Sequence, residues 1–139
     1  MLVVLDTNVL VAALRSPRGA SRAVLELVLD GAIRIAVTVA LALEHQDVLL
    51  REPAVHPAPR AAIEALLDHL VAIADRPELS LSRRPAVSDP NDELVLEAAL
   101  GAGADALVTF NVRDFVGAER HRVRVLTPNA LLLDFRGSR

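Results

Sequence analysis

Asp6 directly follows an apolar run, Leu2 to Leu5, and a charged side chain at that point is costly to bury unless something pairs with it. It can cap the turn that follows, as aspartates often do, or it can face a ligand. Asn8, two residues on, can brace the same turn. Glu44 poses the same question inside a helical pattern. The residues on its face by helical spacing are Ala40, Leu41 and Val48, so a carboxylate interrupts an apolar stripe. It either points inward towards a cation or donors, or sits at the helix edge beside His45 and Asp47. Asp89-Pro90-Asn91-Asp92 puts one aspartate where an N-cap belongs, proline at the first helical position and a second aspartate at the third. Asp89 reads as the cap, and Asp92 can enter a site from the buried side of the first turn. Val108-Thr109-Phe110-Asn111-Val112-Arg113-Asp114-Phe115 again delivers polar groups after apolar ones, with Asn111 a turn former or ligand and Asp114 a cap or ligand.

Carboxylates gathered at one sheet edge repel by about 4 kcal/mol per close pair at an effective dielectric near 20. A divalent cation offsets that repulsion. With no cysteine in the chain, thiolate sites, disulfides and thiol nucleophiles are excluded, and an all-oxygen cluster favours Mg²⁺ or Mn²⁺ over zinc.

The elements that must position these groups follow from the pattern along the chain. Leu2 to Leu5 and Ile33 to Val37 read as buried strands, as do Ala106 to Thr109 and Val123 to Leu126. Helical stretches run from Ser21 to Leu29, stopped by Asp30-Gly31, and from Val39 to Leu50, capped by Thr38 and ended by Glu52-Pro53. Others span Pro59 to Ala74 and Pro90 to about Leu100, ended by Gly101 and Gly103, and Thr127-Pro128 opens a short last one. The segment with Arg15, Pro17, Arg18 and Gly19 is expected to be a connection, and Arg83-Arg84-Pro85 a loop. Alternating strands and helices imply an α/β three-layer sandwich with a central parallel sheet and right-handed crossovers. Ligands in such sheets bind beyond the strands' C-terminal ends, where the strand order reverses, and Asp6 emerges at such an end.

The 139 residues suit one domain over 1–139, and 53% apolar residues suit strands covered on both faces. A net charge of −3 carries no global field for nucleic acid. All 15 basic residues are arginine, whose planar fork grips phosphate, and Arg15, Arg18, Arg22 and Arg113 are candidates to do so. No apolar run approaches the roughly 20 residues of a membrane span, and Met1 leads directly into a strand with no leader pattern, so cytoplasmic residence is expected. Trp and Tyr are absent, which leaves Phe110, Phe115 and Phe135 to stack on bases.

In their order and spacing, Asp6-Thr7-Asn8, Glu44 with Asp47-Val48-Leu49, Asp89-Pro90-Asn91-Asp92, and Val108-Thr109 leading to Asn111 and Asp114-Phe115 resemble PIN-domain nucleases. The likeness is closest to the VapC-like PIN toxins of bacterial toxin–antitoxin modules, and it covers nearly the whole chain. It implies a Mg²⁺- or Mn²⁺-dependent endoribonuclease in which Asp6, Glu44 and Asp92 hold metal and Asp114 or Asn111 completes the pocket. Substrate contacts are expected from Asn8, Thr109, Asn111 and Arg113, and the resemblance further implies an RNA substrate, a cognate antitoxin protein and a homodimer. The sequence carries Asn111 where many relatives have Asp, and Glu93 where they have Asn. The alternative is a degenerate PIN fold acting as a binding module without catalysis. Haloacid-dehalogenase hydrolases and phosphoacceptor receiver domains also place an aspartate after strand one, but both need a lysine and this chain has none.

Overall fold

A computed structural model describes residues 1–51, 56–77 and 90–137. Strands β1 (Leu2–Leu5), β2 (Arg34–Ile35), β3 (Ala106–Val108) and β4 (Arg124–Leu126) form one sheet in the order β2-β1-β3-β4, and every pairing is parallel. Val3 pairs with Ile35 on one side and with Ala106 on the other. Side chains alternate across the sheet because the strand period is two. Val3, Leu5, Ala106 and Val108 enter one core, and Val4 and Leu107 enter the other.

Helices cover both cores. On the first lie α1 (Thr7–Arg15), α2 (Ala20–Leu29), α4 (Arg60–Ile73) and α6 (Pro128–Gly137), through Val9, Leu10, Val24, Ile63 and Leu131. On the second, α5 (Pro90–Ala102) supplies Val95, Leu96 and Ala99, beside Phe115 and Val123. Helix α3 (Val39–Arg51) contributes to both, Leu49 to the first and Leu41 to the second. The expected α/β three-layer sandwich with a central parallel sheet is the architecture observed.

Local chemistry sets most boundaries. The Thr38 hydroxyl accepts from the Leu41 amide at 3.1 Å and the Thr127 hydroxyl from the Ala130 amide at 3.1 Å, so both capping residues act as expected. Helices α2 and α5 close on left-handed Gly31 (φ 81°) and Gly103 (φ 63°), and the next amides, Ala32 and Ala104, each reach back five residues, to Leu27 and Ala99 at 2.9 Å. Gly101 lies within α5 rather than at its end.

Two expectations are corrected. The connection expected around Arg15 to Gly19 is preceded by a helix, α1, which takes in Arg15 and buries Val9, Leu10 and Ala13. Strand β2 is shorter than Ile33 to Val37, and beyond it Ala36 makes an isolated parallel bridge with Asp75. Glu52-Pro53, Arg83-Arg84-Pro85 and Asp89 lie outside the described residues. Among the described residues no helix is long and apolar enough to cross a membrane.

Candidate functional site

The strand order reverses between β1 and β3, and the chain ends of these two strands are tied together by side chains. Beyond the strand pairing, the Asp6 amide donates to the Val108 carbonyl at 2.9 Å and the Thr109 amide to Leu126 at 2.9 Å. Thr109 is fully buried, and its hydroxyl donates to Asp6 Oδ2 at 2.7 Å while accepting from the Asn111 amide at 3.0 Å. Asn8 spans the same gap, its amide nitrogen 3.5 Å from the Thr109 hydroxyl and its Oδ1 accepting from the Phe110 amide at 3.4 Å. Thr109 and Asn8 therefore fix the Asp6 carboxylate. Thr109 has no exposed surface with which to touch a substrate, so the expected substrate contact becomes a positioning contact.

An open cleft of about 600 Å³ lies above this strand end, lined by Asp6, Asn8, Glu44, Asp92, Arg15 and Asn111 among others. Asp6, Glu44 and Asp92, which lie far apart in sequence, thus share one cavity. Asp92, in the first turn of α5, is buried and lines the cleft. Glu44 does not point into the core: the inward stripe of α3 is Leu41, His45 and Leu49, and Glu44, a position away, is half-buried with Val48 on the cleft wall.

Asp6 carries the electrostatic signature of the cleft. Burial pushes its carboxyl above the usual carboxylate range, and the nearby Asp114 charge adds to that. The Thr109 hydroxyl and the backbone amides of Thr7 and Asn8 pull in the opposite direction. The influence of Asp114 on Asp6 shows how the chain returns. After Asn111 it turns through a short 3-10 helix, Val112–Phe115, which brings Asp114 back towards the strand ends. Asp114 is exposed and not among the residues lining the cleft, and Arg113 is likewise exposed and outside it. Of the arginines considered for phosphate, Arg15 lines the cleft, whereas Arg22 is turned to the Ala13 carbonyl (3.1 Å) and Glu26. Of the phenylalanines, Phe115 is buried in the second core and Phe135 packs against the first, leaving Phe110, half-exposed in the cleft, able to stack on a base.

Sequence reasoning overlooked His45, which is buried and whose Nδ1 lies 2.7 Å from the Thr7 hydroxyl. Burial lowers its pKa to about 4, so it is a neutral imidazole. The signal was present in the spacing Leu41, His45, Leu49, a histidine on an otherwise apolar helical stripe.

The cleft's donor chemistry, three carboxylates and two amides with a desolvated Asp6 charge, suits a hard divalent ion. Its spacing is looser: among the described residues, no three His, Asp or Glu side chains stand close enough together to grip an ion. A magnesium ion typically takes one or two carboxylates and keeps waters or phosphate oxygens for the rest, so the spacing argues against a closed protein cage rather than against the ion.

A model of the PIN domain family matches residues 2–113. Among solved structures, the chain is similar to the crystal structure of VapBC2 from Rickettsia felis bound to a DNA fragment from their promoter. That likeness has a TM-score of 0.59 at 20% identity and covers 90% of this chain and 97% of the other, and it shows a shared fold. No curated protein matches the chain. With the family model spanning well over half of its length, and the parallel sheet and acid-lined strand ends in place, the chain belongs to the PIN-domain family.

Proposed function

We propose that this chain is a Mg²⁺- or Mn²⁺-dependent endoribonuclease, the toxin of a toxin–antitoxin pair, with its reaction in the cleft above β1 and β3. The observation that carries the reading is the convergence of Asp6, Glu44 and Asp92 on one cavity at the point where the strand order reverses. In this reading Asp6, Glu44 and Asp92 would hold the ion between them, directly or through its bound waters, and Asp114, through its effect on Asp6, strengthens the negative field that attracts it. When bound, such an ion lowers the pKa of a water and stabilises the phosphate charge during in-line attack. The chain's own part is to fix Asp6 through Thr109 and Asn8, to offer Arg15 to the backbone phosphates, and to present Phe110 to a base. Asn8 and Asn111 supply amide groups at the cleft for the sugar–phosphate chain. The proposal includes a small antitoxin that covers the cleft, and self-association of the toxin.

A second reading is favoured by one observation, the lack of a three-ligand grouping among the described residues. As the side chains stand, that spacing fits a PIN fold that binds a partner or nucleic acid without cleaving it. Asn111, neutral where many relatives have a charged ligand, points the same way.

One experiment separates the two. Calorimetric titration with Mn²⁺, followed by an RNA cleavage assay, is expected to show binding and cleavage in the wild-type chain. Both should be lost in Asp6→Asn and in Asp92→Asn, with melting temperatures in metal-free buffer unchanged or slightly raised, because carboxylate repulsion is relieved. A wild-type chain that binds RNA without binding Mn²⁺ establishes the second reading. A sharp fall in melting temperature in both variants makes these acids structural.

A further inference from the structure

We infer that His45 is a positioning residue for the acid cleft, holding Glu44 and Asp6 in register through its hydrogen bond to Thr7; the inference rests on the metal-dependent reading above. The bond is short, 2.7 Å between Nδ1 and Oγ1, and both residues are buried. Its place in the chain gives it leverage. Thr7 immediately follows Asp6 and begins α1, and His45 immediately follows Glu44 in the middle of α3, so a single bond lies one residue from each of two cleft carboxylates.

Asp6 is already held from the β3 side by the Thr109 hydroxyl at 2.7 Å. The His45–Thr7 bond supplies the corresponding tie from the α3 side. The rest of the His45 environment is apolar, with Leu5, Leu10, Ile35 and Leu70 lining the same small internal space, so packing there would be served as well by a leucine. A polar pair buried among such side chains is directional where an aliphatic contact is not, and it specifies one rotation of α3 about its axis. That rotation decides whether Glu44 faces the cleft or solvent, since Leu43, the residue before it, is 59% exposed. No contact of the imidazole with an ion or substrate is involved.

The test compares wild type, His45→Leu, His45→Asn, Thr7→Val and the double variant Thr7→Val/His45→Leu. Each is titrated with Mn²⁺ by calorimetry, and its melting temperature is read in EDTA. The expected result is Mn²⁺ affinity about 10-fold weaker in His45→Leu, in line with losses seen on removing groups that orient ligands. Recovery is expected in His45→Asn, whose amide reaches the position of Nδ1. The double variant should be no weaker than the single ones, because both remove the same bond. Affinity that follows melting temperature across the set, with no rescue by Asn, overturns the inference and makes His45 a core residue only. Wild-type binding that His45→Leu leaves unchanged overturns it alone, whereas a wild-type chain that does not bind Mn²⁺ overturns both it and the reading on which it rests.

Discussion

At the scale of single residues the cleft is a problem of charge and reach. Asn111 lies in the cleft but brings no charge, and Asp114 brings charge from a position outside the cleft lining. The 3-10 turn at Val112–Phe115 is what lets Asp114 be felt at Asp6, five residues beyond Thr109 in sequence. Because a carboxylate offsets divalent charge and an amide does not, Asp114→Asn is expected to weaken Mn²⁺ binding and cleavage more than Asn111→Ala. Asn111→Asp, which adds a charge inside the cleft itself, should raise metal affinity. Calorimetric titration of the three variants decides the order, and unchanged affinity in Asp114→Asn would leave Asp114 as a residue of the turn. Thr109 shows why residue type alone misleads here. Its hydroxyl could serve a substrate in a sequence reading, yet its full burial commits it to Asp6 and the Asn111 amide.

At the scale of elements, capping chemistry should be measurable where it was read. Thr38 caps α3, the helix that carries Glu44 and His45, and Thr38→Ala is expected to cost about 1 kcal/mol of stability in urea denaturation; no change would show that the 3.1 Å bond to Leu41 contributes nothing net. Caps, strand ends and glycine stops were legible in the sequence because each is a local event with its own residue signature, as at Thr38, Gly31 and Gly103. The strand-end acid Asp6 and the first-turn acid Asp92 were legible for the same reason. Helix α1 was not, since Asp6-Thr7-Asn8 reads as a turn and the helix is stabilised by packing of Val9, Leu10 and Ala13 rather than by a side-chain cap. The orientation of α3 was left open between two faces. Leu41 is common to both candidate faces, and only tertiary packing, with His45 taken inward to meet Thr7, decides between them. The return of Asp114 depends on a 3-10 turn whose tightness no spacing rule supplies.

For the whole molecule, the buried neutral His45 links global stability to pH. Its pKa is about 4 in the folded chain against 6.5 for the free side chain, because burial in an apolar setting penalises the imidazolium. Above the unfolded value the ring is neutral in both states and contributes no slope. As pH falls below it, the unfolded chain takes up a proton that the folded chain refuses, so the folded state loses stability down to about pH 4 and the slope then vanishes. Each pH unit in that window is worth about 1.4 kcal/mol, giving a loss of about 2 kcal/mol between neutral pH and pH 5 from this group. Asp6 acts with the opposite sign, since its raised pKa makes the folded chain bind a proton earlier than the unfolded one and recovers stability towards the acid end. Urea denaturation of wild type and His45→Leu at neutral pH and at pH 5 isolates the histidine contribution, because every other titrating group is shared. The stability difference between the two proteins is expected to move by about 2 kcal/mol in favour of His45→Leu on acidification. A difference that stays constant with pH would mean that His45 takes up its proton equally readily in the folded and unfolded chains, and that the bond to Thr7 survives charging of the ring.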